Sequence, residues 1–127
     1  MKLLLDTHFV LWALADKPPA TFSAKAVALI EAAEQVYFSS ASVWEIGLKW
    51  KRGKIARKPR QFLQDAVENG LVELPVSVDA MILSCELQHT HSDPFDRLLY
   101  AQAKLNKLRL LTADATLKEF GTVVLSP

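Results

Sequence analysis

The chain has a single cysteine, Cys85, in 127 residues. One thiol closes no internal disulfide, so packing must hold the fold, and the usage fits a reducing cytosol. No apolar run is long enough to span a bilayer. The Lys2-Leu3-Leu4-Leu5 start resembles the opening of a signal peptide, but Asp6 and His8 interrupt it too early. The four glycines, Gly47, Gly53, Gly70 and Gly121, are scattered, so there is no glycine-rich phosphate loop. Neither a Gly-x-Ser-x-Gly elbow nor a Cys/His pair offers a covalent nucleophile. Repeats, linkers and low-complexity tracts are absent too. Zinc is disfavoured, because Cys85 with His8, His89 and His91 is too thin a set of soft and imidazole ligands to close a site.

What is present is globular: half of the residues are hydrophobic and 23% are charged. The length suits one domain, residues 1–127, around one ordinary core. The net charge of +1 conceals an asymmetry. Lys49, Lys51, Arg52, Lys54, Arg57, Lys58 and Arg60 follow one another with no acid between them, leaving eight basic residues against fourteen acids elsewhere. Such a run is either a solvated face or a contact for a polyanion.

Taken in order, Lys2 to Leu5 reads as a buried strand closed by Asp6, and Thr7 to Ala15 as a helix stopped before Pro18-Pro19. Ser23 suits the N-cap of a second helix, with Ala26, Ile30 and Ala33 at helical spacing. Val36-Tyr37-Phe38 is β-prone, and a helix from about Ser42 to Arg52 ends at Gly53. Pro59 opens another that stops at Asn69-Gly70. Leu71 to Leu74 is a strand, and Val78, Met81, Ile82 and Cys85 mark one face of the next helix. Asp93-Pro94 begins a long helix, Leu108 to Leu111 is a strand, Asp114 opens a short helix, and Val123 to Leu125 is a last strand. His89 and His91 read as loop residues, with His91 near enough to Asp93 to reach whatever that acid serves. Alternating strands and helices predict an α/β chain with a mostly parallel sheet covered on both faces.

In such folds chemistry gathers at the carboxyl ends of the strands, near the switch in strand order. Asp6 follows the first strand, Glu45 lies one turn into the helix after the second, and Asp114 follows the fourth. Each acid also has a plain structural reading. Asp6, Asp93 and Asp114 suit helix N-caps, Asp96 suits the first turn of a helix, and Glu45 suits an i,i+4 pair with Lys49. Together, however, four segments bring carboxylates to one sheet edge, where they cannot all remain ionised without a compensating charge. Bound Mg²⁺ or Mn²⁺ would supply it through oxygen ligands. An oxygen-only acidic site with a nearby basic run best fits metal-assisted phosphodiester hydrolysis, the basic residues gripping the backbone of a nucleic acid.

Four stretches carry a resemblance to the PIN-domain nucleases, and within them to the VapC-type ribonuclease toxins of bacterial toxin–antitoxin pairs. They are Leu3-Leu4-Leu5-Asp6-Thr7-His8 with Leu11-Trp12-Ala13-Leu14; Ser39 through Ile46; His91 to Gln102, centred on Asp93-Pro94-Phe95-Asp96-Arg97; and Leu110-Leu111-Thr112-Ala113-Asp114. The resemblance implies a three-layer α/β/α fold, a Mg²⁺- or Mn²⁺-dependent ribonuclease activity, a cytoplasmic homodimer and a small antitoxin partner. The family's acidic quartet falls on Asp6, Glu45, Asp96 and Asp114. Asp96 is preferred to Asp93 because its eighteen-residue interval to Asp114 suits the family. Asp93 is then an extra acid, a cap or an outer group; Thr112 is a hydrogen-bonding support, and Arg97 touches phosphate or balances the acids. Trp12, Trp44 and Trp50 are candidates for lining an apolar groove that holds the antitoxin, or a dimer interface; Trp12 and Trp44 read more readily as core, and Trp50, between two lysines, as an exposed contact. Two other functions use the same residues: a structure-specific DNA nuclease, and a non-catalytic RNA- or protein-binding domain whose acids are caps alone.

Overall fold

The computed structural model describes residues 1–88 and 93–127. His89 and His91, with the proposed reach of His91 toward Asp93, lie outside the described residues. The first strand, β1 (Lys2–Leu5), is the centre of the sheet because it can be buried on both sides: Leu3, Leu4 and Leu5 are all fully buried. It pairs in parallel with β2 (Gln35–Ser39) on one side and β4 (Arg109–Leu111) on the other. β3 (Val72–Leu74) extends the sheet beyond β2, and β5 (Val124–Leu125) beyond β4. The order is therefore β3-β2-β1-β4-β5, with every pairing parallel. The chain leaves β1 toward β2 but returns to β1's other side with β4, which sets the switch point between those two strands.

Alternation along the central strands sorts the core into two layers. Leu3 and Leu5 of β1 and Leu111 of β4 join Phe9, Val10, Ala26, Phe38, Ile46, Phe62 and Ala66 on one face. Those residues come from β2 and from α1 (Thr7–Leu14), α2 (Ala24–Ala32), α3 (Ser40–Lys51) and α4 (Pro59–Glu68). Leu4 and Leu110 point the other way, onto Leu99, Tyr100 and Ala103 of α6 (Pro94–Leu105) and onto Leu117 and Phe120 of a 3-10 helix, Ala115–Phe120. The result is the expected three-layer α/β/α arrangement. Pro59 begins α4 as expected, and Gly70 ends it at φ +85, a left-handed conformation only glycine adopts without strain. There the Leu71 and Gly70 N–H groups return to the carbonyls of Ala66 and Val67.

Two expectations change. α3 starts at Ser40, not Ser42, because the Ser39 hydroxyl accepts from the Ala41 N–H at 3.0 Å and caps the helix two residues earlier. Trp44, read as core, is 63% exposed and touches Phe95 edge-on at 5.4 Å between ring centres. The buried face of α3 consists instead of Ala41, Ser42, Glu45 and Ile46. Trp12 is half-buried against the core and Trp50 exposed, as expected. On α5 (Val78–Glu86) the apolar face was correctly read, but Val78, Met81, Ile82 and Cys85 are turned to solvent. Beside Met81, an apolar groove of about 330 Å³ runs between Trp44, Val76 and Leu98. Among the described residues no helix is long and apolar enough to cross a membrane.

Candidate active site

The switch point opens into a cleft of about 400 Å³. Asp6, Glu45, Asp93, Asp96 and Asp114 all line it, so the four acid-bearing segments do meet. Helix capping places three of them. Asp6 caps α1 by accepting from the Phe9 N–H at 2.8 Å. Asp93 caps α6 by accepting from the N–H groups of Phe95 and Asp96 at 2.8 and 3.2 Å. Asp114 caps the 3-10 helix through Thr116, whose N–H and hydroxyl donate at 2.9 and 2.6 Å. A capping side chain stands at a helix N-terminus, which in a parallel sheet lies at the carboxyl ends of the strands. The plain readings and the clustered reading of these acids are thus the same geometry.

Burial grades the five. Asp6 and Glu45 are buried at 6% and 9% exposure, Asp96 is half-buried, and Asp93 and Asp114 are exposed. Sheet register places Thr112 beside Asp6, since Leu5 aligns with Leu111 and the Asp6 N–H bonds the Leu111 carbonyl at 3.0 Å. The fully buried Thr112 hydroxyl then donates to Asp6 Oδ2 at 2.5 Å and accepts from the Asp114 N–H at 3.0 Å. This threonine links the first and last acids of the site. Burial pushes the Asp6 carboxyl up to about 6, against the opposing pull of Thr112, the Phe9 N–H and the nearby His8; the Asp96 charge pushes it further up. Asp6 and Asp96 therefore sense each other as like charges.

Glu45 is held differently. Its Oε1 accepts from the Thr7 hydroxyl at 2.6 Å and its Oε2 from Lys49 Nζ at 3.0 Å. Thr7 Oγ1 also lies 2.8 Å from Ser42 Oγ, so α1 and α3 are pinned at the site by two hydroxyls and a carboxylate. Thr7 and Ser42, His8 and Trp12 were not singled out as site residues from sequence. Their signal in the sequence is position: Thr7, His8 and Trp12 lie in the stretch that carries Asp6, and Ser42 in the stretch that carries Glu45.

The basic run divides. Lys49 alone of its seven residues is among those lining the cleft. Arg57 is paired with Asp65 at 2.7 Å, while Lys51, Arg52, Lys54, Lys58 and Arg60 are exposed. Arg97 reaches from α6 to the end of α5. Its Nε and one terminal nitrogen donate to the carbonyls of Ser84 and Leu87 at 3.2 and 2.6 Å, tying the end of α5 to α6. It lines a separate cavity with Ser84, Cys85 and Pro94.

The donor set is hard and anionic, and it fits Mg²⁺ or Mn²⁺ rather than a soft metal. A buried carboxylate raised by desolvation and by a like-charged neighbour is the electrostatic condition that a divalent cation relieves. Among the described residues no three acidic, histidine or cysteine side chains yet converge as ligands of one ion. Asp6, Glu45, Asp93 and Asp114 each have an oxygen engaged by a cap, a hydroxyl or a lysine, as described above.

The PIN domain family model matches residues 3–123. Among solved structures, VapBC2 from Rickettsia felis, bound to a DNA fragment from its promoter, is similar with a TM-score of 0.69 and 17% identity, over 98% of each chain. A toxin–antitoxin complex from Klebsiella pneumoniae has a TM-score of 0.68 at 18% identity, over 97% of this chain and 95% of that one. VapC20 from Mycobacterium tuberculosis, a sarcin–ricin-loop-cleaving toxin, has a TM-score of 0.68 at 14% identity, over 98% of both. At these identities the likeness is one of fold. No curated protein matches the chain.

Proposed function

The chain belongs to the PIN domain family, and on that premise we propose that it is a divalent-metal-dependent endoribonuclease, the VapC-type toxin of a toxin–antitoxin pair. One observation carries the reading: five carboxylates from four chain segments line one cleft at the switch point of a parallel sheet, with Lys49 beside them. The similarity to VapBC and other toxin–antitoxin structures supports the toxin role, and the similarity to a sarcin–ricin-loop-cleaving toxin supports RNA as substrate.

Asp6, Glu45, Asp96 and Asp114 would hold Mg²⁺ or Mn²⁺, with Asp93 as an outer acid that orients the start of α6. When bound, the ion supplies Lewis acidity and a water of lowered pKa for attack on phosphorus. Thr112 favours the ionised form of Asp6 and aims it by donating to it, and Thr7 orients Glu45 by donating to its Oε1. Lys49 neutralises Glu45 in the resting chain and stands ready to meet a phosphate, while the exposed Lys51, Arg52, Lys54, Lys58 and Arg60 track the RNA backbone. Arg57 contributes charge from its pair with Asp65. Arg97 supports the site indirectly, by fixing α6 to α5. The exposed apolar surface of Trp44, Met81 and Ile82 gives protein partners, an antitoxin and a second copy of the chain, a place to bury area. We place the protein in the cytoplasm as one nuclease domain.

Purified protein is expected to cut structured RNA with Mg²⁺ or Mn²⁺, to stop with EDTA, and to stop as Asp96→Asn. Cleavage that survives both treatments would refute the metal-site assignment. Flap DNA cut in preference to RNA would favour the DNA-nuclease reading. A third reading draws on the caps themselves: a binding domain whose acids only terminate helices would give no heat on Mn²⁺ titration.

A further inference from the structure

The cleft has a second character that the acids do not explain. His8 and Trp12 line it as well, one helical turn apart on α1, with ring centres 5.9 Å apart at an interplanar angle of 35°. His8 is exposed, and Trp12 is half-buried. The indole is fixed from behind by Phe9, edge-on at 5.3 Å, and by Phe22 at 6.5 Å. It is a rigid aromatic surface at the mouth of an anionic site, already ordered before anything binds.

We propose that His8 and Trp12 form a stacking site for an unpaired nucleobase next to the scissile phosphate. The proposal rests on the ribonuclease reading and deepens it by naming the form of RNA that fits. The indole face of Trp12 is electron-rich and offers a phosphate nothing, but a nucleobase is flat and uncharged and stacks on it. The base adjoining a phosphate held at the acids is one sugar away, and the aromatic pair begins two residues after Asp6. A base inside a duplex has both faces covered, so this arrangement selects a nucleotide in a loop, bulge or single strand. The stack is tolerant of base identity, which leaves sequence preference to contacts elsewhere.

The test compares RNA loops in which one nucleotide at a time is made abasic, bound by the Asp96→Asn protein so that the RNA is held and not cut. One abasic position next to the cleavage point is expected to weaken binding about 5- to 100-fold. His8→Ala is expected to raise KM by a similar factor in the enzyme with Asp96 intact while kcat changes little, and His8→Phe to restore most of the loss. In a His8→Ala background the same abasic substitution should cost much less, because the two changes remove one interaction. Equal losses in both backgrounds, rescue by His8→Asn but not by His8→Phe, or an effect on antitoxin affinity alone would each overturn the stacking assignment. A wild-type protein that cuts RNA but ignores abasic positions refutes this proposal only; one that neither binds nor cuts RNA refutes the parent reading too.

Discussion

Replacing Asp6 with asparagine is expected to stabilise the metal-free protein at neutral pH. Asp6 is 6% exposed, and burial lifts its carboxyl from an ordinary 3.8 to about 6. Between those values the folded chain keeps a proton that the unfolded chain has released. The group's contribution is therefore fully present below about pH 4, is lost as pH rises toward 6, and stays lost above it. That rise corresponds to roughly 3 kcal/mol. Asparagine removes the charge and keeps an oxygen for the Phe9 N–H, but it cannot accept the Thr112 hydroxyl, a loss of about 1 kcal/mol. The net gain at pH 8 is about 2 kcal/mol, or roughly 8 °C in Tm for a chain of this size. Below pH 4 the sign reverses and the variant is the weaker by about 1 kcal/mol. Urea unfolding of both proteins in EDTA, from pH 3.5 to 8, measures the difference directly, and titrating groups that do not interact with Asp6 cancel in it. A difference that does not change with pH, or an asparagine variant weaker than wild type at pH 8, refutes the reasoning. Adding Mn²⁺ at pH 8 should then raise the wild-type midpoint and leave the variant's unmoved.

Thr112→Val should lower stability by about 2 kcal/mol, because it leaves both the Asp6 oxygen and the Asp114 N–H without their partner; urea unfolding at pH 8 checks it, and a loss under 0.5 kcal/mol would contradict the bridging role. Lys49→Met breaks a partly exposed ion pair and should change stability by less than about 1 kcal/mol. Its effect should appear instead as a slope of log K against log salt for single-stranded RNA that is shallower by about 0.7. Arg97→Met strips the Ser84 and Leu87 carbonyls of their donor and should lower the unfolding free energy by about 2 kcal/mol. The midpoint shift caused by Mn²⁺ should be the same as in wild type, and a lost Mn²⁺ response would return Arg97 to the acids.

Much of this was legible in the sequence because the relevant forces are local. Three leucines between Lys2 and Asp6 give β1 to the residue, and Ser23, Asp93 and Pro59 mark helix starts where they were expected. The errors fall where one side chain could satisfy several roles. Ser39, Ser40 and Ser42 are all competent caps, and what selects Ser39 is its place at the end of β2. Trp44 was read as core because it is large and apolar. Yet α3 turns Ser42 and Glu45 inward to serve the cleft, which puts Trp44 on the outside. The helical period of α5 was legible, but periodicity is the same whether the covering surface lies within the chain or on another molecule. Arg97, Thr7 and Ser42 are assigned by contacts between helices, which no local pattern encodes.

The caps have a consequence for descent. Asp93 and Asp114 are exposed and each caps a helix, so losing either cap weakens the fold by about 1 kcal/mol, whatever becomes of the chemistry. A descendant that abandoned catalysis would stay under pressure to retain a cap at those two positions, whereas the buried charge of Asp6 would be a burden once no metal relieved it. Asp96 caps nothing, and it would drift along with Asp6. A relative that keeps the caps of α6 and of the 3-10 helix while lacking the acid after β1 and the one in the first turn of α6 should be read as a retired enzyme, however complete its most visible motifs look.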